Sequence, residues 1–181
     1  MAKIREVEKK YAKLVGLLKE RELTVSAMES CTGGLIASLI TDVSGSSEVF
    51  PGSYVTYSND EKEENGIPRE LIEESGVYSA EMAEGMARAI MTGMKTGFGI
   101  GITGTLGRRD PANADSIPGV VYAAVCGPIK KHTVGEFEKN TRCVKLELPP
   151  GKDTPAHRRQ AKLRVADAVA GLLLATLGES C

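Results

Sequence analysis

The sequence predicts an α/β fold built on an open sheet, and three observations carry this. Apolar runs of strand length alternate with segments of helical spacing. Two of those runs end in glycine-rich turns, ESCTGG at 29–34 and ITGTLG at 102–107. Later segments, Lys131–Phe137 and Arg142–Leu148, alternate as an antiparallel meander does. At 181 residues the chain is long enough for a core of its own and is read as a single domain, residues 1–181.

Residues 3–20 set Ile4, Val7, Tyr11, Leu14, Val15, Leu17 and Leu18 at helical spacing between lysines and glutamates. This is an amphipathic helix that packs on the sheet or on a partner subunit. Leu23–Met28 is a buried-type strand. It runs into Ser30–Gly34, and a helical pattern follows from Leu35 to Val43. Gly33 and Gly34 permit a tight turn or close approach to a ligand. With a helix starting there, amide N–H groups and the positive dipole end face the turn, which suits an anion. The ordinary reading makes Ser30 or Thr32 an N-cap.

Gly52–Tyr57 is a second strand, followed by a short polar helical turn, 60–65, that carries Lys62. By itself Lys62 reads as a surface lysine. A serine at one strand end and a lysine near another form a pair of a different kind. A lysine with a lowered pKa serves as base for a serine nucleophile. Tyr57 is placed to hold that lysine or relay a proton; its ordinary role is packing.

Pro68–Ser75 reads as a helix begun by proline, and Ser79 caps a stronger one whose methionines at 82, 86, 91 and 94 suit a core. Phe98–Thr103 is a third strand, ending at Gly104 and Thr105. The long loop beyond carries Arg108 and Arg109, either phosphate partners or solvated arginines. Val120–Cys126 is a buried strand, and Ala156–Leu177 closes the chain as a helix with His157, Arg158, Arg159, Lys162 and Arg164 near its start.

The composition excludes several functions. With 23 basic against 24 acidic residues, the net charge of −1 leaves no footprint for nucleic acid. Aromatic content of 4% with no Trp gives little for bases to stack on. Four cysteines without a CxxC pair, and two histidines, argue against a metal site and for free thiols. Met1–Glu20 is too charged for a signal peptide, and no apolar run is long enough to span a membrane. A cytoplasmic protein is expected.

The run ESCTGG, the following LIASLITDVSGSS, the YVTYSN before a lysine, and the strand-to-ITG junction closely resemble the CinA C-terminal-domain family. The likeness covers roughly residues 5–177 and reads as a stand-alone member. It implies a three-layer α/β/α sandwich with a mixed central sheet, usually in a homo-oligomer. It implies an amidohydrolase that converts nicotinamide mononucleotide and water to nicotinate mononucleotide and ammonia, with no metal or organic cofactor. Ser30 maps to the nucleophile, and Tyr57 and Lys62 map to the activating pair. Cys31, Thr32, Gly33 and Gly34 follow as oxyanion and substrate contacts. From their position along the same strand-end crevice, Thr103, Gly104 and Thr105 are placed to hold ribose or phosphate, and Arg158 is read as a substrate contact. The partner implied is a small-molecule nucleotide, not nucleic acid or membrane. Two segments depart: family members continue ITG as ITGIAGP and a glycine-rich stretch, where this chain has ITGTLGRRDPANADSIPG, and their last helix opens with an arginine pair four residues apart, which Arg158 and Lys162 approximate here. The alternatives are therefore an amidase on another small amide or nucleotide, or a non-catalytic ligand-binding or regulatory module. Cys31 as nucleophile is a minor variant that needs a lowered thiol pKa.

Overall fold

Five segments pair into one sheet in the computed structural model of the chain, which describes residues 4–127 and 141–178. The strands are β1 (Val25–Glu29), β2 (Ser53–Val55), β3 (Phe98–Gly104), β4 (Val120–Cys126) and β5 (Thr141–Glu147). Their spatial order is β2-β1-β3-β4-β5. β2, β1 and β3 are parallel, and β4 and β5 run antiparallel to their neighbours. The sheet is thus mixed, as expected. The reversal follows from the connections: helices return the chain between the parallel strands, whereas β3 reaches β4 through a loop. The expected strand at Lys131–Phe137 lies outside the described residues.

The helices are α1 (Ile4–Glu20), α2 (Leu35–Thr41), α3 (Asn59–Glu64), α4 (Arg69–Ser75), α5 (Ala80–Met94) and α6 (Pro155–Thr176). They cover both faces, giving three layers. On one face α1, α2 and α6 bury Tyr11, Leu14, Ile36, Val165, Val169 and Leu173 against β1, β3 and β4. The Tyr11 hydroxyl donates to the Ala166 carbonyl at 3.1 Å, joining α1 to α6. On the other face α5 packs Met82, Met86 and Ile90 against Met28. Gly99 and Gly101 let α5 lie close on β3, because a Cβ at either would collide with the carbonyl of Ala87 or Ala83.

This arrangement positions the site. Parallel β1 and β2 carry their C-terminal ends to the same sheet edge, and β3 delivers Gly104 beside them. Ser30, Tyr57 and Thr105 are therefore brought together although far apart in sequence. Ligands bind at such edges in open α/β sheets. Among the described residues no helix is long and apolar enough to cross a membrane.

Candidate functional site

Ser30 stands directly after β1, its amide bonded to the Ile102 carbonyl at 3.0 Å. It is 6% exposed and opens into a cavity of about 810 Å³ at the strand ends. Cys31, Tyr57, Gly104, Thr105, Arg109, Asp110 and Arg158 also line this cavity.

The turn after Ser30 is built differently from the sequence expectation. Gly33 and Gly34 have φ of 58° and 89°, left-handed values that favour glycine. This turn folds α2 back over β1, and the buried Glu29 carboxylate fills its N-terminus. Glu29 accepts from the amides of Gly34 at 3.0 Å, Ile36 at 3.1 Å and Ala37 at 2.9 Å. The Gly33 amide donates to the Ser30 carbonyl at 3.1 Å. The Gly33 and Gly34 amides thus already have protein acceptors, and neither Ser30 nor Thr32 caps the helix. Thr32 is fully buried, and its hydroxyl has no partner among the described residues. The amides of Cys31 and Thr32 take no main-chain acceptor among the described residues.

Lys62 reverses the ordinary expectation for lysine, being 2% exposed. The Ser58 hydroxyl caps α3 by accepting from the Glu61 amide at 3.1 Å, which fixes the helix that carries it. The Lys62 amine donates to the Thr56 carbonyl at 3.0 Å and to that of Ser58 at 3.4 Å. Thr56 in turn donates its amide to the Glu29 carbonyl at 2.9 Å. The amine is thus joined through Thr56 to the last residue of β1, and Lys62 itself does not line the cavity that Ser30 opens into. Burial lowers its pKa from the ordinary 10.5, against opposing pulls from Cys31 and Asp110.

Tyr57 lines the cavity but is 66% exposed. Main-chain carbonyls hold the lysine, not its phenol. Thr103 is fully buried, and its hydroxyl donates to the Val77 carbonyl, so it does not line the cavity. The Thr105 hydroxyl donates to the Ile117 carbonyl. Cys31 is buried, and desolvation pushes its thiol up to about 12, which opposes the thiolate that a cysteine nucleophile needs. Arg158 faces the cavity and pairs with Asp153 at 3.3 Å.

Sequence reasoning missed Glu29, Asn59, Tyr78, Asp110, Asn113 and Asp153. The only signal for Glu29 was an acid at the end of an apolar strand. The others belong to contacts between segments distant in sequence.

The family model described as the CinA C-terminal domain matches residues 7–146. The chain belongs to that family. A CinA-like protein of Flavobacterium psychrophilum is 46% identical over 114 residues, 62% of this chain and 27% of that protein. A putative competence-damage inducible protein of Clostridium perfringens is 41% identical over 111 residues, 61% of this chain and 27% of the relative. The chain thus spans about a quarter of the length of these curated relatives. Among solved structures, the competence/damage inducible protein CihA of Agrobacterium tumefaciens superposes with a TM-score of 0.78 at 25% identity. That match covers 94% of this chain and 95% of the other. A CinA superfamily protein of Escherichia coli gives 0.78 at 19% identity, covers 98% of this chain and 93% of that one, and shares the fold.

Proposed function

We propose that this CinA-family chain is an amidohydrolase that deamidates nicotinamide mononucleotide, with Ser30 as nucleophile and Lys62 as base. The observation that carries the reading is the environment of Lys62. Its amine is buried, and both its hydrogen bonds go to main-chain carbonyls of Thr56 and Ser58. A neutral amine has two N–H groups. Donating both leaves its lone pair as the remaining valence, and burial favours that neutral form. In this reading Ser30 draws on that amine as the base that nucleophilic catalysis requires.

The reaction runs in two stages. Ser30 attacks the carboxamide carbon while Lys62 takes the hydroxyl proton. The oxyanion is met by the Cys31 amide, one such donor being worth about 3 kcal/mol. Lys62 returns the proton to nitrogen as the C–N bond breaks and ammonia leaves. Water, deprotonated by the same amine, then cleaves the Ser30 ester to give nicotinate mononucleotide and restore the hydroxyl. Tyr57, exposed at the cavity mouth, covers the substrate ring in this scheme instead of relaying protons. Arg158, paired with Asp153, is a further substrate contact in this scheme.

The test is an ammonia-release assay on nicotinamide mononucleotide with Ser30→Ala as control. Release by the wild-type chain and its loss in the variant support the reading. The unusual 105–118 loop also favours a second reading, in which the same pair deamidates a different small amide. A panel of amides separates the two.

A further inference from the structure

Residues 105–118 form a strap fastened to two other parts of the cavity wall. Its base is closed by the Gly119 amide donating to the Thr105 carbonyl at 3.0 Å. Asp110 is its central knot. Its carboxylate accepts from the Tyr78 hydroxyl at 2.6 Å, the Asn113 side-chain amide at 2.6 Å and the Ala112 amide at 2.9 Å. The Tyr78 and Asn113 bonds hold the Asp110 pKa below its usual range. The Asn59 side chain donates to Asn113 at 3.0 Å, and the Tyr78 amide donates to Asp115 at 2.9 Å. The strap is thereby tied to the start of α3 and to the link before α5.

Three arginines of this wall face the cavity: Arg108, Arg109 and Arg158. Arg158 lies 3.3 Å from Asp153, and Arg108 lies 4.0 Å from the same carboxylate. Arg109 forms no ion pair among the described residues, and the neighbouring Asp110 is turned to Tyr78 and Asn113. The other natural anion position, the N-terminus of α2, is filled by Glu29.

We propose that Arg109 is the phosphate-binding residue of this site, taking the phosphomonoester of a nucleotide substrate, and that Asp110 positions it by fastening the strap. The inference rests on the reading of this cavity as the substrate site. A planar guanidinium lining the cavity offers a fork of donors to phosphate oxygens.

The test is calorimetry in the Ser30→Ala background, which leaves the ligand unconsumed, with nicotinamide mononucleotide and nicotinamide riboside as probes. The mononucleotide should bind at least about tenfold tighter, as charge-assisted hydrogen bonds allow. Adding Arg109→Ala should erase most of that preference. Adding Asp110→Asn instead should weaken the mononucleotide by a larger factor than the riboside, whereas equal weakening of both overturns the positioning role of Asp110. Equal binding of the two probes, or a preference that survives Arg109→Ala, overturns the proposal. A phosphate preference in a chain that releases no ammonia overturns the amidase reading and leaves this one standing.

Discussion

Truncating Glu29 to alanine tests how the Ser30 turn is held. The substitution removes the acceptor for three amides, those of Gly34, Ile36 and Ala37. Ile36 is fully buried, so its amide is left without protein or water, at about 2 kcal/mol. The Gly34 and Ala37 amides are partly accessible and each loses a charge-assisted bond of about 1.5 kcal/mol. The gross loss is about 5 kcal/mol, and relief of carboxylate desolvation reduces it to about 3 kcal/mol. For a chain of this size that is a fall in Tm of about 6–12 °C. Urea unfolding should show a lower midpoint with an unchanged slope. Glu29→Gln keeps one acceptor oxygen but turns an NH2 group toward the remaining amides, so it should fall between. A Glu29→Ala protein within about 1 kcal/mol of wild type would refute the reasoning, since it would mean water satisfies the helix end equally well.

Lys62→Met, close in shape but without a base, should lower kcat by about 10²–10⁴ while the chain stays folded; circular dichroism beside the ammonia assay checks both. The acidic limb of kcat/KM should lie below 10.5, because burial lowers the Lys62 pKa. The same shift affects stability: between the lowered value and 10.5 the unfolded chain binds more protons, so stability rises with pH across that window. Lys62→Met should flatten that rise in denaturation curves. Tyr57→Phe should retain most of kcat and change KM, because carbonyls hold the lysine; a kcat loss as large as that of Lys62→Met would restore the phenol to the proton path. Iodoacetamide at neutral pH should leave Cys31 unmodified by mass spectrometry, since its thiol titrates near 12.

Much of the fold was legible where local chemistry and tertiary packing agree. Ser79 reads as a helix cap, and its hydroxyl accepts from the Met82 amide at 3.0 Å. The run Phe98–Thr103 is all apolar or small and becomes a fully buried strand. That β1 and β2, which precede Ser30 and Lys62, end on the same side of the sheet was legible, because parallel strands deliver their C-terminal ends to one edge. The filling of the α2 N-terminus was not legible. An acid at a strand end gives no periodic signal, and only the left-handed Gly33–Gly34 turn folds three amides onto it. The burial of Lys62 was hidden likewise, since NDEKEE is polar throughout and the carbonyls that receive the amine belong to the preceding loop. The Tyr78–Asp110 bond joins residues 32 positions apart, where no spacing rule reaches.

Ammonia release from nicotinamide mononucleotide, measured for wild type, Ser30→Ala and Lys62→Met side by side, bears most directly on the pairing of hydroxyl and buried amine. Turnover in the first and near-complete loss in both variants is the predicted result. Undiminished turnover in either variant would contradict it.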